Sequence, residues 1–273
     1  MSALAFNNPR VQELRRLLGR RSSRHEHGRF VVEGPVLVAE AVGAGWSVEA
    51  QFVPEGSDAA IDGVGEVYEL ADGVLERVAS TEAPQAPLAI VAMPPTDKAA
   101  VGSALAEASL AVVLDRVSDP GNVGTILRSA EAAGADVVVL TPGSVDAFNP
   151  KVVRSSAGAL FHVPVITASF EDVGSAGLRL LGTTSHGFPG RTVVSYTAAD
   201  MRGRVALVMG NEAAGLPDEW NDVVGPIRTW ITIAHQGRSE SLNVAMAATL
   251  LVFEAARQRA AQWPPPRTPK ATG

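Results

Sequence analysis

Short apolar runs alternate with amphipathic stretches along most of the chain, the pattern of strands interleaved with helices. Phe30-Val31-Val32-Glu33-Gly34 predicts a strand closed by a turn, and Pro35 to Val42 a helix with proline at its first position, stopped by Gly43 to Gly45. Runs at Val48 to Val53, Val64 to Leu70 and Leu88 to Met93 predict further strands, with a helix near Asp72 to Ala79. Met93-Pro94-Pro95-Thr96 then interrupts helix and central strand alike, and an alanine-rich stretch from Lys98 to Ser109 leads into a second series. In that series, strands at Leu110 to Leu114, Val137 to Leu140, Val163 to Ile166, Leu178 to Thr183, Val205 to Met209 and Trp230 to Ala234 interleave with helices. The helices fall at Val123 to Ala133, Lys151 to Leu160, near Phe170 to Gly177, and Leu242 to Arg259.

The expected fold class is α/β. A small N-terminal α/β unit spans residues 1–95, with a boundary at about 94–108. A mostly parallel sheet with helices on both faces spans 109–262, and the proline-rich 263–273 forms an extended or disordered tail. The helix from Leu242 is apolar almost all round through Phe253, so it must be buried within its domain or against a second subunit.

Composition narrows the function. At 273 residues, with 46% hydrophobic and 19% charged positions, the chain has the make-up of a folded protein of two domains. It has no cysteine, which excludes disulfide scaffolds, thiolate metal sites and cysteine nucleophiles. No leader-like segment or long apolar span stands out, and a cytoplasmic protein off the membrane is the expectation. The net charge of -6 argues against nucleic acid, but it is unevenly spread. Residues 1–30 hold Arg10, Arg15, Arg16, Arg20, Arg21, Arg24 and Arg29 against Glu13 and Glu26, a net of +5 that leaves -11 on the rest. Arginine forks onto phosphate and stacks on bases, so this arm is a candidate RNA-binding stripe; a solvated helix face over Pro9 to Leu18 is the other reading.

Dinucleotide and P-loop glycine signatures are absent, the five histidines have no H-E-x-x-H spacing, so no metal is expected, and Gly237-Arg238-Ser239-Glu240-Ser241 lacks the second glycine of a nucleophile elbow. Three loops that follow predicted strands carry the signal. The first is Asp119-Pro120-Gly121-Asn122-Val123-Gly124 through Arg128, where Asn122 is positioned to cap a helix and Arg128 stands among apolar neighbours. In the second, Gly210-Asn211-Glu212-Ala213-Ala214-Gly215-Leu216, Gly210 serves a tight turn or close approach by a ligand. The third is Ile233-Ala234-His235 through Ser241-Leu242-Asn243-Val244, where Ser241 or Asn243 opens the last helix.

In order and spacing these segments resemble the three motifs of the SpoU (TrmH) branch of the SPOUT RNA methyltransferases: N-x-G-x-x-x-R, G-N-E-x-x-G-L and S-L-N-V-x-x-A. Asn149 to Leu160 is similar to the family's intervening segment, and Asn8 through Gly34 to the L30e-like substrate-binding domain of its ribosomal RNA members. Ile233-Ala234-His235 departs from the frequent Ile-Pro-Met. The resemblance implies a trefoil-knotted C-terminal domain, a homodimer formed through it, and S-adenosylmethionine-dependent 2'-O-methylation of RNA, with 23S ribosomal RNA the expected substrate. It implies cofactor contacts at Gly210, Ile233, Leu242, Met209, Ala234 and Ser241. It also implies a catalytic set of Arg128, Asn122, Glu212 and Asn243, with Arg128 on the target phosphate or the 2'-hydroxyl, Asn122 orienting the ribose or Arg128, and Glu212 holding the loop or the arginine. A transfer RNA methyltransferase, a thiostrepton-type resistance enzyme and a non-catalytic RNA-binding or assembly protein are the alternatives.

Overall fold

The computed structural model describes residues 3–185, 192–217, 220, 226–234, 236–238 and 241–260. The expected tail at 263–273, the last residues of the second unit, and His235 lie outside these.

Strands β1 (Arg29–Glu33), β2 (Val48–Pro54), β3 (Glu66–Leu70) and β4 (Leu88–Ala92) form a first sheet in the order β1-β4-β2-β3, with β4 antiparallel to β1 and β2, and β2 parallel to β3. Its alternation sends successive side chains to opposite faces. Val31, Leu88 and Ile90 meet Val11, Leu14, Leu17 and Leu18 of α1 (Pro9–Gly19) and Val74, Leu75 and Val78 of α4 (Val74–Val78). Phe30, Val32, Ala89 and Val91 point the other way, toward α3 (Pro35–Gly43) and the second half of the chain.

The second half opens with α5 (Lys98–Glu107), which occupies the expected boundary region. Strands β5 (Leu110–Leu114), β6 (Val137–Leu140), β7 (Val165–Thr167), β8 (Arg179–Thr183), β9 (Val193–Ser195), β10 (Val205–Met209) and β11 (Thr229–Thr232) form a sheet in the order β7-β6-β5-β10-β8-β11-β9, parallel in every pairing. The late strand β10 enters between β5 and β8, so the chain crosses over elements already laid down. The inner strands are apolar throughout because both faces are covered, by α6 (Pro120–Ala132), α7 (Pro150–Ser155) and α9 (Val244–Arg259) on one side, and by α5 and α8 (Phe170–Ser175) on the other.

Four local readings are corrected. Asp119, not Asn122, caps α6: its side chain accepts the Asn122 N–H at 2.8 Å, and Pro120 takes the first helical position, where a missing N–H costs nothing. The helix expected over Lys151 to Leu160 ends at Ser155, because Ala157 and Gly158 turn left-handed (φ 49° and 95°) before a short 3₁₀ turn at Ala159–Phe161. The arm holds a second helix, α2 (Arg21–His27), with no apolar period to announce it. Strand β9 was not expected.

The two halves share a core. Phe30 meets Phe148 at 4.8 Å with the rings tilted, Trp46 meets Phe161 edge-on at 5.4 Å, and the Trp46 indole N–H donates to the Phe161 carbonyl. A buried ion pair also joins them: Arg24, 3% exposed, sits 2.6 Å from Asp146, itself 5% exposed, and donates to the Leu17 carbonyl. That desolvated pair holds the arm against the loop between β6 and α7.

Candidate functional site

Parallel strands present their ligand loops at their carboxyl ends, where the strand order reverses. Here the ends of β8, β10 and β11 open into a cleft of about 650 Å³, closed on the far side by the start of α9. Met209, Gly210, Ile233, Ser241 and Leu242 line it, whereas Ala234 is exposed and does not. Thr183, Thr184 and Ser185, at the end of β8, form a polar part of the wall that motif reading missed. Their signal was their place at the carboxyl end of a predicted parallel strand. Trp230, Ile231, Val244, Ala247 and Leu251 supply apolar walls.

The loop after β10 is a tight hairpin. Asn211 and Gly215 exchange backbone hydrogen bonds at 3.2 and 2.9 Å, and the Asn211 side-chain oxygen accepts from the N–H groups of Ala213 and Ala214. A Cβ on Gly210 would run into the Gly215 carbonyl and the Leu216 nitrogen, so the turn alone requires glycine there. In the first motif, a Cβ on Gly124 would overlap Ser155, so that glycine lets α6 and α7 touch.

The three motifs meet at the mouth of the cleft. Glu212 accepts from the Asn122 amide at 3.0 Å, the Asp119 N–H at 3.2 Å and the Ser118 N–H at 3.3 Å. Burial alone would raise the Glu212 carboxyl, but the hydrogen bonds from Asn122, Asp119 and Ser118 outweigh it and hold it below its ordinary value. It is therefore an anion at neutral pH and can only accept. The Asn243 side-chain oxygen is occupied by the N–H groups of Ala245 and Met246, which it caps, so Asn243 presents its NH₂ to the Asn122 oxygen at 3.0 Å. The amide of Asn122 is oriented from both ends, and among the described residues Asn122 and Asn243 each keep one side-chain N–H uncommitted. Glu212 thus holds the loop and Asn122; it does not hold Arg128.

Arg128 is not at the cleft. It lies six residues beyond Asn122 on α6, about 9 Å along the axis and on another face. It is exposed and makes no hydrogen bond or ion pair with any described residue. It shares the exposed surface of α6 with Thr125 and Ala132. Beside that surface runs α9, attached through a Ser129–Thr249 hydrogen bond of 2.6 Å. On α9, Met246 and Leu250 are 64% and 41% exposed on one stripe, with Phe253 at 36%. Of the two expected ways to bury this helix, cover within its own domain is therefore incomplete, and cover by a second subunit is the alternative left open.

The arginine arm divides. Arg10, Arg15, Arg16, Arg20 and Arg21 are exposed, Arg10 over the Tyr68 ring and Arg15 over Phe6, while Arg21 donates to the Ser144 carbonyl. Arg29 is half-buried between Glu13 and Glu49. Arg24 is a correction: its burial against Asp146 removes it from any RNA surface. Among the described residues, no three His, Asp or Glu side chains cluster so as to hold a metal ion, and no helix is long and apolar enough to cross a membrane.

The model of the SpoU rRNA Methylase family matches residues 109–253, and that of the MRM3-like substrate binding domain residues 8–89. The chain is 32% identical over 254 residues to a 23S rRNA (guanosine(2553)-2'-O)-methyltransferase of Bacillus subtilis, covering 90% of this chain and 95% of that one. It is also 32% identical to a 23S rRNA (uridine(2479)-2'-O)-methyltransferase of Streptomyces viridochromogenes, covering 94% and 92%. Among solved structures it resembles an AdoMet-bound rRNA methyltransferase from Sinorhizobium meliloti, with a TM-score of 0.80 at 31% identity over 95% of this chain and 99% of that one. The AdoMet complex of the SpoU methyltransferase AviRb from Streptomyces viridochromogenes gives 0.79 at 31% identity, over 92% and 98%.

Proposed function

This chain belongs to the SpoU rRNA methylase family, and from that premise we propose that it methylates a ribose 2'-oxygen of 23S ribosomal RNA with S-adenosylmethionine as donor. Its C-terminal sheet is of the kind typical of the SPOUT knot, beside a smaller N-terminal α/β domain. The observation that carries the reading is the junction of Glu212, Asn122 and Asn243, which brings the three motifs together at the mouth of the cleft.

The residues present suit a nucleoside-bearing cofactor. The cleft falls in the usual size range for ligand sites, with Ile231, Ile233, Leu242 and Leu251 as apolar walls for a ring and Thr183, Thr184 and Ser185 as polar partners. When bound, the cofactor supplies a methyl group activated by its sulfonium. The chain's task is then to hold the acceptor in line, the term that governs a displacement of this kind. The uncommitted N–H groups of Asn122 and Asn243 orient the ribose, and Glu212 keeps Asn122 turned for that purpose. Arg128 lies off its own chain's cleft, so its role is assigned across the homodimer: presented to the cleft of a second copy, it pairs with the target phosphate and stabilises the negative charge that develops on the 2'-oxygen.

A homodimer closed on α6 and α9 would cover Met246 and Leu250 and take Arg128 into the interface. Arg16, Arg20 and Arg21 grip RNA from residues 1–95, with Arg10 and Arg15 as flanking contacts, in the cytoplasm where such a substrate would be met. The test is methyl transfer from labelled S-adenosylmethionine to ribosomal RNA and, separately, to transfer RNA, followed by mapping of the modified ribose. A single labelled 2'-oxygen in 23S RNA is the expected result. Label in transfer RNA alone would overturn the substrate assignment, and label in neither, with cofactor bound, would leave modification of an assembling ribosomal particle or a non-catalytic RNA-binding role.

A further inference from the structure

Arg116, at the end of β5, has a left-handed backbone (φ 53°) although it is not glycine. Glycine or asparagine would adopt that conformation at least cost, so an arginine there raises the question of what its side chain does. Its backbone is tied on both sides: the N–H donates to Thr141 Oγ1 at 3.1 Å, and the carbonyl accepts from Asn211 Nδ2 at 2.8 Å. Its side chain turns back over Gly143. The guanidinium donates through Nε to Asp115 at 2.8 Å and through Nη2 to the Gly215 carbonyl at 3.3 Å. Asp115 is a firm anchor, 3% exposed and also receiving the Thr141 hydroxyl at 2.8 Å.

Gly215 closes the hairpin that forms one wall of the cleft, and Arg116 therefore grips that hairpin at both ends, Asn211 by its carbonyl and Gly215 by its guanidinium. We propose that Arg116 is a positioning residue for the cofactor: it bridges the buried Asp115 to the 211–215 hairpin and so sets that wall before the cofactor arrives. A loop already held in its bound shape loses less conformational freedom on binding, which appears as affinity. A planar guanidinium can make the bridge because its donors point in different directions; a lysine ammonium at the same place would satisfy Asp115 without the same fixed fork. The proposal rests on the reading of the cleft as the S-adenosylmethionine site.

The test uses the full chain with Arg116→Lys, which keeps the charge beside Asp115, and Arg116→Gly, which suits the left-handed backbone. Amide exchange at Asn211 and Gly215 is measured without cofactor, and affinity for S-adenosylmethionine by calorimetry; RNA retention is measured at saturating cofactor. Both variants should lose protection at those two amides and bind cofactor about tenfold more weakly, a change of about 1.4 kcal/mol, with RNA retention within twofold of the parent. If Arg116→Gly does not fold, Arg116→Lys carries the test alone. Parental protection and affinity in Arg116→Lys would show that charge beside Asp115 suffices and would overturn the bridge. Lost RNA retention with intact cofactor affinity would overturn it in favour of a phosphate contact. A parent chain that binds no cofactor would overturn the cleft assignment and the proposal together, a result independent of the variants.

Discussion

Replacing Glu212 by glutamine tests whether an anion is needed where the three motifs meet. The carboxylate accepts from Asn122, Asp119 and Ser118 at 3.0–3.3 Å. A glutamine has one acceptor oxygen and turns an NH₂ toward donors, so at least one charge-assisted hydrogen bond is lost, and such bonds are worth roughly 1.5–3 kcal/mol. Glu212 sits at the surface, where water competes, so the lower end applies: about 1.5 kcal/mol, or roughly tenfold in rate if the loss is felt in the transition state. The pH dependence has a defined sign. Because the folded carboxyl lies below its ordinary value, its stabilisation is complete above the ordinary glutamate range near about 4.3 and is lost as pH falls through the lower folded value. The assay is single-turnover methyl transfer at saturating cofactor, with melting curves of parent and Glu212→Gln from neutral to acid pH. The variant should turn over about tenfold more slowly, and its stability should fall less on acidification than the parent's. Turnover within twofold together with parallel acid limbs would refute the argument.

Three further outcomes follow from the packing. Met246→Asp with Leu250→Asp should reduce the solution mass from a dimer to a monomer in sedimentation equilibrium; a monomeric parent would sink the dimer. Arg16→Glu with Arg20→Glu should leave melting unchanged and lower the salt dependence of RNA binding by about 0.7 log units per lost phosphate contact on a single strand. Arg24→Ala should instead destabilise the fold by about 3 kcal/mol in denaturant titration, the low end for a broken buried pair, because it leaves the buried Asp146 with only His25 and the Phe148 N–H as partners; a loss under about 1 kcal/mol would show that the pair is not desolvated as its 3% and 5% exposures indicate.

Much of the architecture was written locally. The apolar runs at Leu110–Leu114, Val137–Leu140 and Val205–Met209 coincide with β5, β6 and β10 because a strand covered on both faces must be apolar along its length. The motif segments were legible for a similar reason: each needs particular residues within a few positions, such as Gly210 beneath the Gly215 turn or Asn243 capping α9. Helix α2 escaped notice because it is short and polar and is held by Arg24 rather than by an apolar face.

What the chain alone could not disclose are relations between distant segments. Composition placed Arg24 and Arg20 in one basic arm, yet one is buried against Asp146 and the other exposed, because the distinction depends on a loop 122 residues away. Spacing singled out Asn122, Glu212 and Asn243 but not their contacts, made across 90 and 121 residues. Arg128 belonged to the same motif as Asn122, but the helical twist turns it from the cleft toward the exposed face beside α9. Local pattern determines which segments are strands and helices, since period and capping act over a turn or two. The strand order, the shared core of Phe30, Trp46, Phe148 and Phe161, and the partners of each polar side chain are settled only when all the elements pack at once.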